Sequence, residues 1–170
     1  MAEFNSCAKL IEGENLKKVL DMLNQSPDLL QDMLDMQNAL QTTLAEKLPE
    51  YNIAPKDIQT KGQLVRWVDS NFDAIMDEFR ELKNAIGGMS NGEKAASAVW
   101  KKWKANHGLM QNEKLDDMSE EDKLELMFEA TDIWHFVMNI FIALGFDSKN
   151  LYTLYMLKNF ENINRYNNGY

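Results

Sequence analysis

Four acidic residues fall into two pairs of equal spacing, Glu78-x-x-Glu81 and Glu129-x-x-Asp132. On a helix such a pair places both carboxylates on one side, about 60° apart around the axis. Glu78 and Glu81 each precede a member of the apolar series Val68, Phe72, Ile75, Phe79, Leu82 and Ile86, so both flank the face that series would bury. Taken alone, a pair of this kind reads as the solvated edge of a helix. The second pair has less ordinary neighbours. Glu129, Asp132, Phe136 and Asn139 follow at steps of three, four and three, with His135 beside the line, so two acids head an otherwise apolar stripe. Buried bare they would be costly, and they need a cation or a basic partner unless they stand in exposed first turns, where the helix dipole favours acids.

Two helices that each offer an i, i+3 carboxylate pair can supply four carboxylates to one cavity, as helical bundles do when they build metal sites. Hard oxygen donors suit Mg²⁺, with Mn²⁺ as a possible substitute, and these ions keep waters and bridge to substrate phosphates. The chemistry suggested is therefore that of phosphates. Asp132-x-x-His135 leaves a di-iron site formally open, but such sites use two Glu-x-x-His motifs, and the other histidine, His107, lies in a polar segment.

Two basic constellations could meet phosphate. Trp100-Lys-Lys-Trp-Lys104 interleaves cations with aromatic rings, so Lys104 could hold phosphate oxygens and Trp103 could wall a base. An amphipathic helix with anchored tryptophans and solvated lysines explains the same pattern. Near the C-terminus, Tyr155, Lys158, Asn162 and Arg165 share one helical face with Asn159 beside it, a possible triphosphate clamp or a solvated helix.

The elements that must carry these residues read as helices throughout. A first helix is expected over residues 14–23, and a second is opened by Ser26 as cap and Pro27 at the first helical position. A long one runs from about Gln63 to Ile86 and is ended by Gly87-Gly88, with a shorter one around Glu93 to Lys104. Ser119 and Asp122 form a capping-box pattern for a helix that runs to Gly145, and Asp147 or Ser148 caps a last helix to about Arg165. No repeat or long linker separates these, so the expectation is one all-α domain over residues 1–170.

Composition bounds the class. The chain of 170 residues carries 18 basic and 27 acidic residues, net −9, which argues against a broad footprint for nucleic acid or anionic membrane. Cys7 is the one cysteine, so no intrachain disulfide or thiolate zinc cage can form, and a reducing cytoplasm is the natural setting. The N-terminus lacks a signal-peptide pattern, and the densest apolar run, Ile133 to Leu144, falls short of the roughly 20 residues that cross a bilayer. Eleven methionines supply adaptable core filling for packed helices.

Glu78-x-x-Glu81 followed by Glu129-x-x-Asp132 resembles the metal-binding motifs of the all-α nucleoside triphosphate pyrophosphohydrolases, the superfamily of MazG proteins and dimeric dUTPases. Lys158-Asn159-x-x-Asn162-x-x-Arg165-x-x-x-Gly169-Tyr170 is similar to the C-terminal motif of the dimeric dUTPases, and Trp100-Lys-x-Trp-Lys104 to their W-K-x-W-K element. Within the superfamily the chain is similar, nearly throughout, to the branch that acts on dCTP and dUTP in T-even-type bacteriophages. That likeness rests on Phe4-Asn5, Leu10-Ile-Glu-Gly13, Met33-Leu-Asp-Met-Gln37, Ala95 to Lys104 and Asn168-Gly-Tyr170. The resemblance implies a helical bundle and a Mg²⁺-dependent homodimer in the infected host's cytoplasm. It would convert dCTP, dUTP and their diphosphates to dCMP and dUMP, in the company of other phage nucleotide-synthesis enzymes. Glu78, Glu81, Glu129 and Asp132 become metal ligands, with Glu78 also holding or deprotonating the attacking water, and Lys104, Lys158, Asn159 and Arg165 become phosphate contacts. Where those enzymes read uracil with a helical Gln and an Asn four residues later, this chain has Gln37 and Gln41. Phe136 is the stacking candidate and Asn139 a second polar contact. A broader MazG-like hydrolase, or a non-catalytic helical interaction module with Met-rich surfaces, are the alternatives.

Overall fold

The computed structural model describes residues 11–169, so Phe4, Asn5, Cys7, Leu10 and Tyr170 lie outside the described residues. Among the described residues there are seven α-helices and no strand. These are α1 (Gly13–Gln25), α2 (Leu29–Lys47), α3 (Lys61–Ile86), α4 (Glu93–Ala96), α5 (His107–Met110), α6 (Glu120–Ala143) and α7 (Ser148–Asn167). The chain divides into two compact units, one of residues 1–25 and 69–137 and one of residues 26–68 and 138–170. The division falls inside α3 and α6, so each of these helices gives a part to each unit.

In the unit of residues 26–68 and 138–170, α2 starts two residues later than its sequence pattern suggests. Asp28, not Ser26, is the N-cap and accepts from Gln31 N at 3.0 Å, while Ser26 Oγ accepts from Asp28 N. Asp28 wins because its carboxylate also takes the Ser148 hydroxyl, and these bonds hold its carboxyl below the ordinary carboxylate range. Ser148 N donates to Gln31 Oε1 at 3.0 Å, so the starts of α2 and α7 are laced together. Asp147 caps α7 in a full capping box with Asn150, as expected. Gly145, at φ +78°, lets the chain turn out of α6, and Phe141 packs on Phe146 with ring centroids 5.3 Å apart. Further in, Leu34, Gln37, Trp67, Met138 and Asn139 are buried. Trp67 Nε1 donates to the Asn139 carbonyl at 3.0 Å, and Gln37 Nε2 donates to Asn139 Oδ1 at 2.8 Å.

The other unit is organised around the turn that follows α3. Gly87 is required there by close packing: a Cβ at this position would stand 2.0 Å from the Ala96 carbonyl oxygen. Asp122, in the first turn of α6, accepts from Ser90 N at 2.9 Å, Ser90 Oγ at 2.7 Å and Ser119 Oγ at 2.9 Å. Burial pushes this carboxyl up, but those bonds outweigh it and hold it below its ordinary range.

The expected helix from Glu93 to Lys104 is not continuous. It stops at Ala96, passes through a 3₁₀ turn at Ser97–Val99 and continues as turns. Tertiary anchors override helix propensity here. Trp100 Nε1 donates to Asn84 Oδ1 at 2.9 Å, the Lys83 ammonium stands 4.2 Å from the Trp100 ring centroid, and Lys104 Nζ donates to Ser97 Oγ at 2.9 Å.

Along α3 the innermost residues are Trp67, Asn71, Asn84 and Ala85, with Glu78 half-buried between them. The apolar series read from the sequence lies beside this line, and its members Phe72, Phe79 and Ile86 are exposed. The helix therefore turns Asn71 and Asn84 inward together with Trp67 and Ala85 and leaves Phe72, Phe79 and Ile86 outside. Helix α6 as a whole is long and apolar enough to cross a membrane by length and composition, with a stretch of mean hydropathy 1.2, although its densest apolar run, Ile133 to Leu144, is shorter than a span. Asp122, Glu125 and Asn139 are buried along it, and most of its other side chains are half-buried.

Candidate functional site

Glu78 and Glu81 leave α3 one turn apart, and Glu129 leaves α6. Their carboxylate oxygens lie within 4.8 Å of one another. Three acids at this separation repel one another, and the repulsion falls hardest on the most enclosed. Burial first, then the charges of Glu81, Glu125, Asp132 and Glu78, push the Glu129 carboxyl up to about 7. Burial and then Glu81, Asp132 and Asp77 raise Glu78 as well. Glu129 Oε2 is buried and has no hydrogen-bond partner among the described residues. A buried acceptor without a donor, on an acid clustered with two further carboxylates, is an arrangement that a divalent cation would satisfy.

The donor set fits that reading. All three positions are carboxylate oxygens, with no histidine nitrogen or thiolate, which suits Mg²⁺ or Mn²⁺ better than zinc or iron. Asp132 is near enough to act on both Glu78 and Glu129 and has His135 Nδ1 at 3.7 Å from its Oδ1, so it borders the three-acid cluster. Glu125 was not singled out by sequence. It is 6% exposed and adds its charge to the same place. The signal was available, because Glu125, Glu129 and Asp132 continue one line on α6 at steps of four and three.

The remaining candidates are distributed over both units. In the unit of residues 26–68 and 138–170, Gln37 and Asn139 form the buried amide pair described above, and Gln41 is half-buried one turn along α2. In the same unit Lys158 is exposed on α7, Asn159 is half-buried, and Arg165 Nε donates to Glu161 Oε1 at 2.8 Å. In the other unit Phe136 is half-buried, and Lys104 is engaged with Ser97 and the Lys94 carbonyl. Trp103 is 77% exposed, while Trp100 is the anchored ring of the pair. A cavity of about 600 Å³ lined by Gly88, Asn91, Lys114, Met118 and Asp122 lies in this unit too, but none of the clustered acids lines it.

No family model and no solved structure matches the chain. Curated proteins do. It is 49% identical to the dCTP pyrophosphatase of Enterobacteria phage T4 and 48% identical to that of Enterobacteria phage LZ5, in each case over the full length of both chains. A DNA replication protein of phage T4 is 49% identical over 161 residues, which make up 94% of this chain and 41% of that protein. An all-α chain with a carboxylate cluster and full-length likeness of this kind is a hydrolase of phosphoric anhydrides. It belongs to the family of phage dCTP pyrophosphatases.

Proposed function

We propose that the protein is a Mg²⁺-dependent homodimer that hydrolyses dCTP and dUTP, and their diphosphates, to dCMP and dUMP in the host cytoplasm. The observation that carries this is the three-acid cluster of Glu78, Glu81 and Glu129, in which Glu129 has a buried oxygen with no hydrogen-bond partner among the described residues, in a chain whose full-length relatives are named dCTP pyrophosphatases. Dimerisation is supported by apolar side chains left outside at helical spacing: Phe72, Met76 and Phe79 on α3, and Leu154, Leu157 and Phe160 on α7.

Glu78, Glu81, Glu129 and Asp132 would hold the cation. When bound, it supplies the positive charge that a polyphosphate chain needs before a nucleophile can approach. Glu78 is the residue assigned to the attacking water. As a half-buried carboxylate it would accept a hydrogen of that water and so orient or deprotonate it. Lys104, Lys158, Asn159 and Arg165 are the phosphate contacts in this reading. Phe136 stacks on the base, and Gln37, Gln41 and Asn139 read its edge, with Trp103 as an exposed ring available to a ligand or a second subunit.

Glu78→Gln and Asp132→Asn test the assignment. Each is expected to lower kcat by about 10²-fold or more while the far-ultraviolet circular dichroism and the melting transition remain those of a folded helical protein. Retained activity in both variants would remove the acids from the chemistry and favour a helical interaction module.

A further inference from the structure

Glu125 lies one helical turn before Glu129 on α6 and is 6% exposed. It belongs to the same compact unit as Glu78, Glu81 and Glu129, that of residues 1–25 and 69–137. On a helix, side chains at i and i+4 stand about 5–6 Å apart at Cβ, and like charges so placed repel. Here the repulsion acts where water is largely excluded, and among the charges that bear on Glu129 that of Glu125 is second to Glu81. Asp122, three residues earlier and similarly buried, offers a contrast. The amide and hydroxyl of Ser90 and the hydroxyl of Ser119 donate to it, so its charge serves the turn after α3. Glu125 instead continues the line of Glu129 and Asp132. A carboxylate in that place adds repulsion to the cation-free chain and adds attraction for a cation, since its charge is little screened there.

We propose that Glu125 is a positioning residue of the cation site: it stays outside the set of ligands and, through its charge beside Glu129, sets how tightly the three-acid cluster holds a divalent cation. This rests on the reading of Glu78, Glu81 and Glu129 as the place of a Mg²⁺ or Mn²⁺ ion. Groups behind a metal ligand tune its hold on the ion, and a negative charge does so by long-range attraction as well. Two effects of opposite sign follow. Removing the charge weakens cation binding, and the same change stabilises the cation-free fold because the remaining acids repel less. A glutamate needed only for packing or for a hydrogen bond behaves otherwise, since its loss destabilises the fold with or without the ion.

Glu125→Gln keeps the shape of the side chain and removes its charge. Mn²⁺ binding is followed by electron paramagnetic resonance of the unbound ion, and melting is recorded in chelator at about pH 8, where carboxyls are ionised. The variant is expected to bind Mn²⁺ about tenfold more weakly than wild type. In chelator it is expected to melt about 2–4 °C higher. In a Glu129→Gln background the same substitution is expected to stabilise less, because the neighbour that Glu125 repels is already neutral. Unchanged Mn²⁺ affinity, a lower melting temperature in chelator, or equal stabilisation in both backgrounds overturns the proposal. A wild type that takes up no Mn²⁺ overturns the reading of the cluster as a cation site and this proposal with it, whereas equal uptake by wild type and variant overturns the proposal alone. Should Glu125→Gln fail to fold, side-chain carboxyl NMR of the wild-type protein decides. Adding Mg²⁺ is expected to shift the Glu125 and Glu129 signals together, and a Glu125 signal that stays still while that of Glu129 moves contradicts the proposal.

Discussion

At Glu129 the sequence and the electrostatics meet. A carboxyl pushed from 4.5 to about 7 binds its proton more tightly in the folded chain than in the unfolded one. The sign follows from linkage: its contribution to metal-free stability is fully present below pH 4.5 and is lost as pH rises through about 7. Glu129→Gln removes that penalty. In a chelator, its melting temperature is expected to rise relative to wild type as pH is raised from below 4.5 to above 7, and a pH-independent difference would place the strain elsewhere. The cluster was half legible in the sequence because i, i+3 pairs state which acids share a helix side. Glu125 was missed because an acid one turn earlier looks like any other surface charge until its burial is known. The pairing of Gln37 with Asn139 could not be read at all, since 102 residues separate the two amides and neither type is diagnostic.

Among the elements, the long helices were the most legible. The bounds of α3 and α6 and the capping of α7 follow from periodicity and local hydrogen bonding, which need no distant partner. The segment after α4 was misread because its conformation depends on Asn84, Lys83 and Ser97, contacts that local propensity does not contain. The inward line of α3 was misplaced for a related reason. Hydrophobic periodicity finds the apolar flank, whereas this helix turns Asn71 and Glu78 inward. Gly87 tests the element scale. Because its absent side chain is what lets the α3 terminus approach the Ala96 carbonyl, Gly87→Ala is expected to destabilise the protein by about 1–3 kcal/mol or more in urea unfolding. An unchanged midpoint would mean that the turn relaxes freely.

For the whole molecule, the net charge of −9 excludes a broad polyanion surface, yet part of that excess is the means by which a polyanion would be held. Glu78, Glu81, Glu129 and Asp132 account for four of the 27 acidic residues, and a divalent cation would offset them locally. The exposed apolar face of α3, with Phe72 at 55%, is the other property that a single chain does not explain. In sedimentation velocity the wild type is expected to run as a dimer and the Phe72→Glu, Met76→Glu variant to shift toward monomer. A monomeric wild type would reject the proposed assembly. The central claim is reached most directly by incubating the protein with Mg²⁺ and, separately, dATP, dGTP, dCTP, dTTP and dUTP, then identifying the products. Release of dCMP and dUMP alone, abolished by chelation, is the expected result, and equal turnover of the purine nucleotides, or turnover that survives removal of the metal, would contradict it.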